Sequence, residues 1–252
     1  MILPKIVQNI FVNEIDKKFP KYKVGKPRKF ETSYIVNRIF KILRTGMQWS
    51  ELEVNNGSSK TIYNLFNKYV NNGIFKKCYK KILNIYSSRK NYKTKYCVTD
   101  TSFVKNIFGI DLLGKNPTDR GRKATKISVI VDQQGVPFYI SYFKANQNDC
   151  TLLHNTFSNF LKKPKVYNKI CFYADKGYDS QKCRNLIKSF NFTDKISKRG
   201  LVTTNESKRY IVEHLFGWLD LYRRLILRYE KKIKTYSEFT YFSLCIIVYN
   251  KL

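Results

Sequence analysis

The stretch Lys95-Tyr96-Cys97-Val98-Thr99-Asp100-Thr101-Ser102-Phe103-Val104-Lys105 reads as a β-strand, and its apolar first half ends on an acid, Asp100. A second run, Ile170-Cys171-Phe172-Tyr173-Ala174-Asp175, ends the same way. Each acid is followed by a small or polar residue that opens a loop, which is how a strand presents a ligand at a sheet edge. In Asp175-Lys176-Gly177-Tyr178-Asp179, Gly177 is expected to permit a tight turn that holds Asp175 at the strand tip. A third acid, Glu213, lies in an amphipathic helical pattern with Arg209 one turn before it. Carboxylates on two strand tips and one packed helix can converge around divalent cations and serve chemistry at a phosphodiester.

Each acid also has a structural reading. An Asp at a strand end is most often a turn former, and Asp132, before Gln133-Gln134-Gly135, is read that way. Asp149 and Asp179 are read as helix caps, and Asp111, Asp119 and Asp194 as members of polar loops. For Glu213 the bland alternative is an i,i+4 pair with Arg209, worth only about 0.2–0.5 kcal/mol and needing neither aspartate nearby.

The background makes these acids conspicuous. Forty-eight Lys and Arg against 18 Asp and Glu give a formal charge of +30 over 252 residues, spread from end to end. A polyanion is the simplest partner. No apolar run approaches the roughly 20 residues that span a bilayer, and Met1–Phe11 lacks the features of a signal peptide, so an intracellular, DNA-associated protein away from membranes is expected. Six cysteines without a C-x-x-C pair fit a reducing compartment, and only two histidines leave little for a zinc site. A metal site must then use oxygen ligands, which points to Mg²⁺ or Mn²⁺.

Outward from the strands, the spacing predicts helices over Ser33–Arg44, Ser59–Tyr69 and Ile74–Tyr86. The second shows Lys60, Asn64, Asn67 and Lys68 on its polar face, like a helix-turn-helix reader, although a helical cap with a solvated face shares the pattern. Ser87–Lys93 reads as a linker, dividing a helical DNA-binding domain, 1–90, from a catalytic domain, 91–252. Strands Thr125–Val131 and Val136–Phe143, helix Asn148–Leu161, strand Lys169–Ala174, helix Ser180–Phe190, a short strand Thr193–Ile196 and one long helix Ser207–Arg228 follow. The expected class is α/β: a ribonuclease-H-like mixed sheet flanked by helices, preceded by the small all-helical unit.

The motifs Thr99-Asp100-Thr101-Ser102, Gly121-Arg122-Lys123, Ala174-Asp175-Lys176-Gly177-Tyr178-Asp179 and Arg209 through Arg224 resemble the DDE transposases of bacterial insertion sequences, in particular the insertion-sequence-five group. Gly25-Lys26-Pro27-Arg28, Leu43 through Trp49 and Lys60–Tyr69 are similar to that group's helical DNA-binding region, so the likeness covers most of the chain. It implies that Asp100, Asp175 and Glu213 form a catalytic, metal-holding triad. It further implies cutting and joining of double-stranded DNA at terminal inverted repeats and in target DNA, by a homodimer. Arg209 and Glu213 fit the group's Tyr-x-x-Arg-x-x-x-Glu-x-x-x-x-x-x-Lys signature, whereas Glu206 and Asp220 stand where it has Tyr and Lys. Arg122, Lys123, Lys126, Lys176, Arg209, Arg223 and Arg224 are expected to neutralise phosphates, and Lys60, Asn64, Asn67 and Lys68 to reach base edges. Two rivals share the features: a catalytically inactive, transposase-derived DNA-binding protein, and a ribonuclease-H-like repair nuclease, which needs no helix-turn-helix.

Overall fold

The computed structural model describes residues 2–20, 29–89, 92–158, 170–198, 200 and 208–252. Gly25–Arg28 and Glu206 lie outside them, as do the ends of three expected elements: 159–161, Lys169 and Ser207.

Four helices come first: α1 (Lys5–Lys18), α2 (Thr32–Thr45), α3 (Ser59–Asn71) and α4 (Ile74–Ser88). The last three match the sequence expectation. In α1, which was not anticipated, Val7, Phe11 and Ile15 recur every fourth residue and bury one narrow stripe. Gly46, at φ 72°, ends α2 in the left-handed conformation that only glycine adopts freely. Ser58 opens α3, its hydroxyl accepting from the Lys60 N–H at 3.1 Å.

The sheet is built on β1 (Tyr96–Asn106), followed by β2 (Gly114–Lys115), β3 (Lys123–Asp132), β4 (Pro137–Lys144), α5 (Asp149–Ser158), β5 (Cys171–Ala174), α6 (Gln181–Ser189) and β6 (Thr193–Ile196). Strand β1 pairs antiparallel with β3, which pairs antiparallel with β4, so the three form a meander. On the other edge β1 pairs parallel with β5, and β5 with β6. The pleat sends alternate residues to opposite faces. Cys97, Ile130, Phe172 and Ala174 pack with α5 and α6 residues such as Leu153 and Ile187. Val98, Val129 and Val131 join the other core, with Leu215, Phe242 and the N-terminal helices.

The expectation of one helix over 207–228 is corrected. The chain forms α7 (Tyr210–Asp220), α8 (Arg223–Ile226), β7 (Leu227–Arg228) and α9 (Ile233–Tyr249). Tyr222 is extended at φ −98°, ψ 94°, with no proline or glycine to force it. Contacts from elsewhere hold the break: Arg44 at the end of α2 donates to the Leu221 carbonyl, and Arg224 donates to Glu230 Oε1 at 2.6 Å and to the Met47 carbonyl at 3.2 Å. Beyond it, Leu227 and Arg228 pair with Lys105 and Asn106 of β1. Helix α9, also unanticipated, runs among the N-terminal helices: the Phe242 ring lies 4.5 Å from Phe11 and 5.2 Å from Phe75, and Phe239 lies 4.5 Å from Phe66. The helices of both ends of the chain thus share one core.

Candidate active site

Asp175 follows the last residue of β5 as expected, but Asp100 is not at a strand tip: β1 runs on to Asn106, and Asp100 sits within it opposite Val129 of β3. The parallel register that sets Val98 opposite Tyr173 still places Asp100 and Asp175, two residues further along each chain, side by side on the face toward α7. The two are held alike. Asp100 Oδ1 accepts the Thr101 N–H at 2.8 Å, and Asp175 Oδ1 accepts the Lys176 N–H at 2.7 Å. Each carboxylate is thereby oriented by the backbone of the next residue and keeps Oδ2 for another partner.

That partner is Arg209, at the entry to α7. Its Nη2 lies 3.2 Å from Asp100 Oδ2 and its Nη1 lies 3.4 Å from Asp175 Oδ2. Glu213, one helical turn on, brings Oε1 to 3.8 Å from Nη2. The i,i+4 pair therefore exists, but the guanidinium does more than complete it: three acids from two strands and a helix converge on one positive charge. Burial pushes the Asp100 carboxyl above its ordinary range, with Asp175 and Asp149 adding to the rise and the Thr101 N–H and Arg209 opposing it.

The turn after Asp175 differs from expectation. Residues Lys176–Tyr178 form one 3-10 turn capped by Asp175 itself, and Gly177 is not left-handed and faces open space. Tyr178, buried beneath, anchors the turn. Asn148, rather than Asp149, caps α5 by accepting the Cys150 N–H at 2.9 Å, and Ser180, rather than Asp179, caps α6 at 3.2 Å from the Cys183 N–H. Asp179 and Asp194 both bind Arg184, each at 2.7 Å. Asp132 is the turn former expected, accepting the Gln134 and Val136 N–H groups at 2.9 Å each.

Asp149, freed from capping, reaches Lys126 Nζ at 2.8 Å and the Thr101 hydroxyl at 3.1 Å, beside Asp100. No spacing rule joins Lys126, Asp149 and Thr101, so the sequence carried no signal for this bracket. Lys126 is 5% exposed and also donates to the Gln147 carbonyl at 2.6 Å, which withdraws it from the cations expected to meet phosphates. Arg224 is withdrawn likewise, 9% exposed and bound to Glu230. Arg122, Lys123, Lys176 and Arg223 are exposed, as are Lys60, Asn64 and Lys68 on α3, with Asn67 half-buried. Asp220, whose carboxyl burial raises, ends α7 and lines a cleft with Arg44 and Arg223. Trp49, in a motif assigned to DNA binding, instead packs its ring 5.2 Å from Phe66.

Among the described residues no group of three or more His, Cys, Asp and Glu is gathered in a metal-binding array. The three carboxylates are spread around Arg209 rather than around one another. Their chemistry nonetheless fits a hard cation: the donor set is all oxygen, and its free oxygens already face a positive charge.

A mixed sheet of this strand order, flanked by helices, defines the class of ribonuclease-H-like folds. Within it, the chain belongs to the DDE transposase family: residues 98–250 match the transposase DDE domain, and residues 12–79 match a family of IS4/5 transposases. It is 30% identical over 151 residues to a Burkholderia cepacia protein described as a transposase for insertion sequence element IS402, covering 55% of this chain and 69% of the relative. The fold is similar to that of piggyBac transposase in a synaptic complex with hairpin DNA, at 10% identity and a TM-score of 0.56, covering all of this chain and 75% of the other. A weaker likeness joins it to the Mos1 strand transfer complex, at 14% identity and a TM-score of 0.38, over 92% of this chain and 78% of that one.

Proposed function

We propose that this transposase cuts double-stranded DNA at the terminal inverted repeats of a mobile element and joins the freed ends to target DNA, with Asp100, Asp175 and Glu213 as its catalytic carboxylates. The observation that carries the reading is their shared guanidinium: acids separated by 75 and 38 positions turn their oxygens to one cation. Mg²⁺ or Mn²⁺, when bound by these oxygens, would supply the Lewis-acid charge that phosphodiester hydrolysis and transesterification require.

The chain's own residues supply the rest. The backbone N–H groups of Thr101 and Lys176 fix the two aspartates while leaving their Oδ2 atoms free of backbone bonds. Arg209 neutralises the cluster and competes for the same oxygens as an incoming cation. Exposed Arg122, Lys123, Lys176 and Arg223 hold phosphates and give affinity without sequence choice. Sequence choice falls to the N-terminal helical unit, 1–90, where Lys60, Asn64, Asn67 and Lys68 lie along α3, while 91–252 carries the chemistry. Two copies acting on the two element ends complete the assembly, within the cell at its DNA. None of the helices among the described residues is long and apolar enough to cross a membrane.

The test is Mg²⁺-dependent strand cleavage of a duplex carrying the element's own ends, wild type beside Asp100→Asn, with binding measured in parallel. Equal binding with cleavage lost in the variant is expected. Cleavage by the Asn variant at the wild-type rate, or none by either protein, overturns the assignment.

A further inference from the structure

The loop leaving β1 presents Ile107, Phe108 and Ile110 to solvent at 43%, 60% and 70% exposure. Three neighbouring apolar side chains so exposed are unusual on a soluble surface. Mobility does not account for them, because the backbone beneath is tied down. The Ile107 and Phe108 N–H groups donate to the Arg228 carbonyl at 3.0 and 3.3 Å, Gly109 N–H to Asn106 Oδ1 at 2.8 Å, and Ile110 N–H to the Lys231 carbonyl at 2.9 Å. Arg228, wholly buried, holds the loop from below through the Asp111 carbonyl at 2.7 Å, the Thr125 hydroxyl at 2.8 Å and the Asp111 carboxylate. A Cβ at Gly109 would come within 2.8 Å of that guanidinium, so the loop closes directly on the arginine.

The surface around this crown is basic. Lys105, Lys115, Arg122, Lys123, Lys231 and Lys232 are all exposed, while of the acids beside them Asp119 lies 3.7 Å from Lys105 and Asp111 is paired with Arg228. The strand register puts Lys105 across from Ala124 and Lys115 across from Lys123, so the cations share one end of the sheet with the tip. A second copy of the chain fits poorly here. It would bring the same cations face to face, and three side chains fall far short of the roughly 800 Å² per partner of a stable interface. A partner that is anionic outside and apolar inside satisfies both features. Duplex DNA is that partner, with phosphates for the lysines and a base stack for the side chains.

We infer that Ile107, Phe108 and Ile110 form a rigid wedge that presses between base pairs and locally unstacks them while the surrounding cations hold the phosphates. This rests on the reading of DNA as the substrate. The wedge begins at Ile107, just past the end of β1 and seven residues from Asp100, about 23 Å at roughly 3.3 Å per residue, so one duplex can meet both.

The test uses a duplex carrying the element's own end, with 2-aminopurine at successive adenine positions. Its fluorescence rises when the base is unstacked. Wild type is expected to raise the signal at a small set of positions, and Phe108→Ser with Ile110→Ser to abolish the rise while weakening binding by less than about tenfold, since phosphate contacts carry most of the affinity. Both substitutions are at exposed sites, and circular dichroism with thermal melting confirms that the fold persists. Binding and cleavage by wild type with no fluorescence change overturn the wedge alone; failure of wild type to bind the duplex overturns the DNA reading as well. If sedimentation shows a wild-type dimer that the double variant dissolves, the tip is an interface between copies and the inference fails.

Discussion

Arg209 Nη2 stands 3.2 Å from Asp100 Oδ2, across the gap between α7 and β1. One guanidinium thereby occupies the point toward which three acids are directed, and its buried Nε has no hydrogen-bond partner among the described residues.

Arg209→Ala should therefore leave the acids repelling one another. The expected result is a lower melting temperature without divalent metal, and a larger upward shift on adding Mg²⁺ than wild type shows, because cations then take over the neutralisation. Equal Mg²⁺ shifts in the two proteins would show that Arg209 and the metal do not share the carboxylates.

The Lys126–Asp149 pair gives an asymmetric expectation. Lys126 is nearly enclosed whereas a third of the Asp149 side chain meets water. Asp149→Asn strands a buried ammonium and should cost about 3 kcal/mol, while Lys126→Met leaves an acid that water can reach and should cost less. Urea unfolding of both variants checks the order, and the reverse order would refute the account.

Glu238 governs a pH dependence. On α9, it accepts the N–H groups of Phe75 at 3.0 Å and Lys76 at 3.3 Å, the open start of α4. Burial pushes its carboxyl from an ordinary 4.5 up to about 7, against the lowering effect of those N–H groups and of the Lys76 and Lys234 charges. A raised carboxyl means that the folded chain keeps a proton the unfolded chain has released. Its stabilising effect is complete below pH 4.5 and is lost as pH rises through about 7. Glu238→Gln should flatten that slope, and be the more stable protein above it by an amount on the order of 3 kcal/mol. Melting temperatures across the window decide; a parallel pair of curves excludes Glu238 as their cause.

On α3 the two kinds of polar residue should separate. Lys60→Ala should weaken binding to all duplexes alike and reduce the salt slope by about 1. Asn64→Ala should instead erode the preference for the element's ends over random DNA by about 1–3 kcal/mol. A uniform loss in both variants would make α3 a phosphate-binding face only.

The segments read correctly from sequence are those whose local pattern and tertiary placement agree. Strands β1, β3, β4 and β5 have apolar runs bounded by turn residues, and α2, α3 and α4 have one apolar face and marked ends. Two of the failures have a physical cause. Helix α9 is buried on nearly every side from Tyr236 to Val248, so it has no polar face to set a period. The break at Tyr222 has no local cause at all. Distant contacts hold it instead: Arg44 donates to the Leu221 carbonyl, and Arg224 to Glu230 and the Met47 carbonyl.

By itself, the sequence determined the class of fold, the placing of Asp100 and Asp175 at the ends of two apolar runs, and a +30 charge that calls for a polyanion. Hydrophobic period and net charge are local or additive properties, and they survive being read one residue at a time. Tertiary structure alone decided that Arg209 faces three carboxylates, that Lys126 and Arg224 are enclosed while Arg122 and Lys123 are exposed, and that a braced loop holds Phe108 in water. Those outcomes depend on which distant groups meet. Desolvation and pairing between strands and helices far apart in the chain set them, and no spacing along one segment encodes either.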